Sequence, residues 1–113
     1  TVIQPYDELP TFQYNGHTYK VAPEANNTLI WADANTYCDN LTLYGYTDWR
    51  LPTQAELLQM YDDRNSIGGF ITAYYWSSTT CNGGHISISF YSNGIPSCEG
   101  NNYRRVRPIR MVN

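Results

Sequence analysis

The chain has 113 residues and a formal net charge of −3, which fits one domain over residues 1–113 and gives no general attraction for nucleic acid. It contains no run of about 18 apolar residues, so the sequence predicts no direct insertion into a membrane. Eleven Tyr, three Trp and three Phe stand beside only 15% charged residues. That mixture is typical of recognition surfaces, and equally of a β-rich core.

The first elements predicted along the chain are a β-hairpin and a helix. Asn15-Gly16-His17 separates two β-prone runs, 11–14 and 18–21, and Asn-Gly in that context is a strong signal for a hairpin turn. Apolar residues then recur at spacings of three and four, which predicts an amphipathic helix over 30–42 with Thr28 as its N-cap. These apolar residues are Trp31, Ala34, Cys38 and Leu41.

A second short helix is predicted over 54–62. Thr53 and Glu56 have the spacing of a capping box, with Thr at the N-cap and Glu three positions later. Residues 64–73 contain Gly68-Gly69 and are predicted to form a loop.

The rest of the chain predicts antiparallel strands. Residues 85–91 alternate strictly between apolar and polar types, so their side chains should point to opposite sides of a sheet. One side receives Ile86, Ile88 and Phe90, and the other receives Ser87, Ser89 and Tyr91. Asn93-Gly94 turns the chain back, and 103–111 is predicted to be the last strand. The order of elements predicts an α+β domain with two short helices and antiparallel β-sheets.

Three cysteines are present, an awkward number for a secreted chain. Cys81 and Cys98 lie in one region rich in Gly, Asn and Ser, so a disulfide between them is expected. Such a bridge would stabilise the fold by ~3 kcal/mol and would indicate an oxidising compartment. Cys38 lies in the helical pattern and is expected to be a buried thiol.

The sequence offers little for metal binding, cofactors or catalysis. Calcium needs about six to eight oxygen ligands, yet Glu99 is the only acid between Trp76 and Arg110. No Cys-x2-Cys or His-x3-His spacing occurs, so His17 and His85 are expected to be ordinary surface residues. The Trp-Ser-Ser string lacks the Gly-x-Ser-x-Gly turn that exposes a nucleophile. We therefore expect no metal, no cofactor and no enzymatic activity.

Four of the seven basic residues are arginines near the C-terminus, and two interpretations of them stay open. They could hold an anionic ligand, such as a sulfated polysaccharide, through bidentate hydrogen bonds. Alternatively, Arg107 and Arg110 could be scaffold residues paired with acids such as Asp48 or Glu56. The second interpretation is favoured, and it leaves Arg104 and Arg105 freer to contact a ligand.

Five motifs occur in order along residues 12–110. They are Trp31-x2-Ala34-x2-Tyr37-Cys38-x2-Leu41, Gly45-x2-Asp48-Trp49-Arg50-Leu51-Pro52-Thr53-x2-Glu56-Leu57, Tyr75-Trp76-Ser77-Ser78-Thr79, Phe90-x3-Gly94 and Val106-Arg107. Together they resemble the DUF1566 family, which includes the C-terminal domain of the Legionella collagen-like adhesin. The resemblance implies a C-type-lectin-like fold, similar also to the formylglycine-generating enzyme.

The C-terminal part also resembles the variable proteins of diversity-generating retroelements. In those proteins a segment from a Trp-Ser-Ser string to an Arg-Val-Arg-x-Val/Ile-Arg string carries the changeable residues, and here it would run from Trp76 to Arg110. The resemblance implies a ligand-binding face in this segment. Family members often carry a Cys at the position of Pro108, expected to pair with the one at Cys38, and its absence here supports a free Cys38.

These observations lead to one main hypothesis and two alternatives. The main one is a calcium-independent ligand-binding domain of a bacterial or phage surface, extracellular or on a virion, whose partner is a cell-surface protein or glycan. The alternatives are an oligomerising head of a surface fibre, and an enzyme of the formylglycine-generating kind. The expected binding residues are Tyr74, Tyr75, Thr80, Asn82, His85, Ser87, Ser89, Tyr91, Ser97, Glu99, Asn101, Asn102, Tyr103, Arg104 and Arg105.

Overall fold

A computed structural model describes residues 5–91 and 93–112 as an α+β arrangement of two antiparallel three-stranded sheets and three short helices. The helices are α1 (Trp31–Asn40), α2 (Gln54–Asp62) and α3 (Arg64–Ile67). The strands are β1 (Thr11–Tyr14), β2 (His17–Val21), β3 (Tyr74–Cys81), β4 (Gly84–Ser89), β5 (Pro96–Glu99) and β6 (Ile109–Met111). The sheets have the orders β1-β2-β6 and β3-β4-β5. This confirms the α+β prediction.

The predicted hairpin is confirmed, with a tighter turn than expected. Tyr14 pairs with His17, so His17 begins β2 and only Asn15-Gly16 forms the turn. Asn15 has φ 52° and Gly16 has φ 80°, and this pair of left-handed conformations suits the twist of a two-residue hairpin.

Both predicted helices are present, and the sequence missed a third. The capping box of α2 is confirmed, because Thr53 accepts from the Glu56 amide and the Glu56 carboxylate accepts from the Thr53 amide. The expected Thr28 cap is wrong: α1 begins after Ile30, which has no side-chain cap. The short helix α3 lies inside the predicted loop 64–73 and ends at Gly68, which has φ 77°.

The C-terminal residues connect the two sheets instead of forming the single strand predicted over 103–111. Arg104 bridges Leu29, and Arg105 bridges Tyr75. Farther along, β6 pairs with β2. Pro108 has no N–H, which interrupts a regular ladder at that point, while its carbonyl accepts from Ala22 at 2.9 Å.

The core lies on both sides of the β3-β4-β5 sheet. On one side, Tyr75, Ile88 and Phe90 pack with residues of α2 such as Leu57. On the other, Trp76 packs with a cluster that includes Ala34 and Cys38 of α1. Tyr75 and Trp76 are adjacent and fully buried, because neighbouring side chains of a strand point to opposite faces. In the described part of the chain, no helix has the length and apolar character needed to cross a membrane.

Candidate functional site

One side of the β3-β4-β5 sheet gathers much of the predicted binding set. The register pairs Tyr74 with Ser89 across β3 and β4, and Ser87 with Ser97 across β4 and β5. Directly paired residues point to the same side, so these side chains share the side of the sheet that carries Trp76. Trp76 covers only part of it. We call the uncovered part the polar face, made of Tyr74, Ser89, Tyr91, Ser97, Asn102 and Arg104.

Glu99 is the centre of the hydrogen bonds beneath this face. Arg104 donates to both carboxylate oxygens, with Nε at 3.0 and 2.9 Å and Nη2 at 2.5 Å from Oε1. The Asn102 amide nitrogen donates at 2.5 Å, and the Ser87 hydroxyl donates to the second oxygen. The carboxylate is therefore saturated, and it fixes the positions of Arg104 and Asn102.

Two tyrosine rings lie beside this network. The Arg104 guanidinium carbon is 4.6 Å from the centre of the Tyr74 ring, within cation–π distance. The ring of Tyr91 lies 5.5 Å from that of Tyr74, tilted by 59°. Tyr91 is 59% exposed, and Tyr103, the residue before Arg104, is 64% exposed. The arrangement holds one guanidinium against one ring and leaves two further rings in solvent.

The electrostatics of the pair follow from its hydrogen bonds. Burial alone would raise the pKa of Glu99, but the bonds from Arg104, Ser87 and Asn102 outweigh it, so the pKa lies below its ordinary value. The same pairing raises the pKa of Arg104. Both groups are charged at neutral pH, and the two charges offset each other at the polar face.

Three members of the predicted set are buried and are not part of an exposed face. Tyr75 is fully buried in the core, where it donates its hydroxyl hydrogen to Glu24. Ser87 is fully buried beneath Glu99, and Glu99 itself is only 6% exposed. Ser87 and Glu99 lie on the same side of the sheet as the polar face, so only their predicted exposure is wrong. Tyr75 lies on the opposite side.

The remaining predicted residues lie toward the disulfide end of the same sheet. Thr80, Asn82 and Asn101 are exposed. The disulfide Cys81–Cys98 is confirmed, with a Cα–Cα distance of 5.9 Å. His85 is not the plain surface residue expected: its ring stacks on Trp31 with centroids 3.5 Å apart and planes 4° apart. Partial burial lowers the pKa of His85.

The four C-terminal arginines have different environments. Arg110 pairs with Asp48 at 2.7 Å, as one interpretation of the sequence expected. Arg104 and Arg105 were expected to be freer, and this is wrong: Arg104 pairs with Glu99, and Arg105 lies 3.3 Å from a Glu24 carboxylate oxygen.

Arg107 also departs from the expectation of an acidic partner. It donates to two carbonyls, those of Ala22 at 2.5 Å and Gly68 at 2.9 Å. Glu56, one of the two acids expected to pair with these arginines, pairs instead with Arg50 at 2.8 Å.

Sequence reasoning missed Glu24 and the aromatic partner of His85. Glu24 is 51 positions from Tyr75 and 81 from Arg105, and it stands in no motif. Only the path of the C-terminal segment between the sheets brings them together. Trp31 could be assigned to the core from its helical spacing, but that spacing does not reveal the ring stacked on it.

Metal and thiol chemistry have no assembled site in the described residues. Within 5–91 and 93–112, no three His, Cys, Asp or Glu side chains cluster in a way that could hold a metal ion. Cys38 is a buried free thiol, as expected, and burial raises its pKa to about 12. The other two cysteines are joined in the disulfide.

Comparison with known proteins identifies the family. No curated protein matches the chain. A family model described as the Lcl C-terminal domain matches residues 10–110, which include all six strands except the end of β6. The match spans most of the 113 residues and contains all five motifs that carry the resemblance. The chain therefore belongs to the Lcl C-terminal domain family, named for the Legionella collagen-like protein and also known as DUF1566.

Proposed function

We propose that this domain is an adhesin-type ligand-binding domain that contacts its partner through the polar face. One observation carries the proposal: Arg104 is held by Glu99 against the Tyr74 ring, while Tyr91 and Tyr103 beside it are 59% and 64% exposed. The fixed groups are already ordered, so a ligand would not have to order them. The exposed rings would supply contact area.

The chemistry of the face favours a partner with both apolar and hydrogen-bonding surface. Tyrosine offers a large rigid ring and a hydroxyl at low entropic cost, and serine and asparagine adapt their hydrogen bonds to the partner. The Glu99–Arg104 pair contributes no net charge. A protein or a neutral glycan therefore fits the face better than a sulfated polysaccharide, for which Glu99 would be a repulsive neighbour.

The proposal includes neither calcium nor catalysis. Glu99, the acid nearest the face, already accepts hydrogen bonds from three side chains and has no free position for a calcium ion. An enzyme of the formylglycine-generating kind would need a reactive thiolate. The bridge occupies Cys81 and Cys98, and the raised pKa of Cys38 keeps that thiol protonated at neutral pH.

The disulfide supports an oxidising, extracytoplasmic location, and we propose display on a bacterial cell surface or a virion. The fold is proposed to be C-type-lectin-like, as the sequence resemblance implies. Most of the polar face lies between Trp76 and Arg110, the segment that would vary in a retroelement-diversified protein. Tyr74 lies just before that segment, and the proposal makes it an invariant contact.

The experiment is a binding screen of the purified domain against glycan arrays and cell surfaces, with and without EDTA and at low and high salt. We expect binding that resists EDTA and changes little with salt. Glu99→Gln sharpens the test, because it leaves the charge of Arg104 uncompensated: binding of an anionic ligand would strengthen, and binding of a neutral one would weaken as the Arg104 geometry loosens. Loss of binding in EDTA, or its collapse in high salt, would contradict the proposal.

A second candidate, an oligomerising head, has its own supporting observation. Three large apolar or aromatic side chains between 91 and 103 are more than half exposed: Tyr91, Ile95 and Tyr103. A second copy of the chain could cover them. Sedimentation at micromolar concentration separates the candidates, because a receptor-binding monomer stays monomeric and a head domain associates.

A further inference from the structure

A second concave feature of the molecule is a cleft that lies away from the polar face. It has a volume of about 550 Å³ and opens between the loop after β2 and the end of α3. None of its lining residues belongs to the polar face. Small-molecule sites typically have volumes of about 300–1,000 Å³, so the cleft has room for a compact ligand. Its wall contains Glu24, Ser66, Gly68, Gly69 and Arg107.

Arg107 is the unusual residue of this cleft. It is 95% buried, since only 5% of its surface is exposed, and burial lowers its pKa. Among the described residues no carboxylate lies within ion-pair distance of it. Its Nε and Nη1 donate to the Ala22 and Gly68 carbonyls, and Phe70 lies 4.6 Å from the guanidinium carbon. Buried charges are normally paired, but the carboxylate that acts on this cation, that of Glu24, lies beyond ion-pair distance and offsets only part of the effect of burial.

The donors that remain on Arg107 are at the glycine side of the cleft. Nη2 has no acceptor among the described residues. Every buried side-chain nitrogen of those residues has a hydrogen-bond partner, so Nη2 cannot itself be a buried atom. Nη2 therefore has access to the cleft. Gly69 leaves that edge uncovered: a Cβ at position 69 would lie 3.3 Å from both Nη1 and Nη2. With φ +78°, this position also disfavours any other residue.

The carboxylate of Glu24 in the same cleft already has two partners. Glu24 accepts from the Tyr75 hydroxyl and pairs with Arg105 at 3.3 Å, so its charge is shared by two partners. Glu8 contributes a further carboxylate at the exposed rim. The cleft thus has a buried cation whose charge is only partly offset, and beside it the carboxylate of Glu24, which can accept a further hydrogen bond from a hydroxyl or an ammonium.

We infer that this cleft binds a small organic carboxylate that also carries hydroxyl or ammonium donors. The ligand carboxylate accepts from Nη2 of Arg107, and the donors face Glu24. A uronic acid and a free amino acid both have this chemistry. The first would make the cleft a subsite for acidic sugars, and the second a site for amino acids.

The experiment is an NMR titration of the whole domain with sodium galacturonate, with alanine and with galactose, at constant ionic strength. Galactose is the matched control, because it has the same ring without the carboxylate. We expect saturable shifts of the Gly68 and Gly69 amides and of the Arg107 Nε–H with at least one carboxylate, and none with galactose. A response to galacturonate would indicate an acidic sugar as the class of ligand, and a response to alanine would indicate an amino acid. Equal shifts with galactose, or no saturable shift with either carboxylate, would overturn the inference.

Variants at the mouth of the cleft separate binding there from binding elsewhere. Ser66 is exposed and lines the cleft, so Ser66→Trp would fill it and Ser66→Ala would not. We expect Ser66→Trp to weaken binding roughly tenfold or more and Ser66→Ala to leave it unchanged. Ser66→Glu is the second variant, which repels a carboxylate by its charge and adds much less bulk than Trp. Tyr91→Ala should not alter this affinity, which keeps the test independent of the polar face; binding that survives both Ser66→Trp and Ser66→Glu would contradict the assignment.

Discussion

The two sides of the β3-β4-β5 sheet differ in burial although their side chains alternate along the same strands. On one side, Ile88 and Phe90 are buried against the helix α2. On the other, Trp76 is fully buried, whereas Tyr91 at the far end of that side is 59% exposed. A strand's alternation therefore decides the direction of a side chain, and the elements packed on the sheet decide its depth.

The same comparison applies to two acid–arginine pairs. Glu56 and Arg50 fix the start of α2 in the scaffold, and Glu99 and Arg104 fix the polar face. In each pair the carboxylate is almost fully buried and the arginine is partly exposed, with side-chain exposures of 6% and 41% for the first pair and 5% and 29% for the second. The two pairs differ in what surrounds the arginine: a helix start in one, exposed tyrosines in the other.

The largest expected effect comes from Trp76, which is buried on the same side of the sheet as the polar face. Trp76→Ala removes a fully buried ring that also donates to the Leu29 carbonyl at 2.7 Å. We expect the free energy of unfolding to fall by about 3–5 kcal/mol. Urea denaturation measures it. A loss below about 1 kcal/mol, typical of a surface site, would show that the two parts of this side do not differ in depth.

The scaffold pair should give the domain an acid-sensitive stability. The pKa of Glu56 is about 2, because hydrogen bonds from Arg50 and Thr53 outweigh burial, against an ordinary value of 4.5. Its contribution, about 3 kcal/mol, is complete above pH 4.5 and is lost as the pH falls toward 2. Glu56→Gln should be less stable than the parent at pH 7 and approach it at pH 2. A difference that stays constant with pH would contradict this origin.

Removing the disulfide should weaken the loop end of the sheet more than its centre. Cys81→Ser with Cys98→Ser opens a bridge between residues 17 positions apart, at an expected cost of about 3 kcal/mol in unfolding free energy. Hydrogen exchange should accelerate most at the residues around Asn82 and least at Ile88. Uniform acceleration across the sheet would mean that the bridge acts on the whole domain.

The smallest expected effect comes from two exposed tyrosines, Tyr91 in the polar face and Tyr103 next to it. Tyr91→Ala and Tyr103→Ala remove side chains that are mostly in solvent, so the unfolding free energy should change by less than about 0.5 kcal/mol. Thermal unfolding followed by circular dichroism measures both. A loss comparable to that of Trp76→Ala would place these tyrosines in the core and remove the basis for the proposed face.

Local signals in the sequence predicted the local structure well. The Asn15-Gly16 turn, the Thr53–Glu56 capping box and the Cys81–Cys98 bridge each depend on residues near one another along the chain. Depth and long-range pairing were not predictable in this way. Tyr75 was assigned to the binding set although it is core, because its alternation does not show that α2 covers its side.

The arginines show the same limit. Arg104 and Arg105 are neighbours in sequence, and their acidic partners, Glu99 and Glu24, lie 75 positions apart. Nothing near Arg105 indicates Glu24, because the C-terminal segment meets the loop after β2 only in the folded chain.

The most direct test of the proposed face is a binding measurement on three proteins that we expect to be equally stable: the parent domain, Tyr91→Ala and Ile71→Ala. The target is the protein or glycan that gives the strongest signal in the surface screen. Ile71 is 47% exposed and lies outside the polar face, so it controls for the loss of an exposed apolar side chain. We predict that Tyr91→Ala binds roughly tenfold more weakly than the parent, and that Ile71→Ala binds equally well. Equal binding by the parent and Tyr91→Ala would contradict the account.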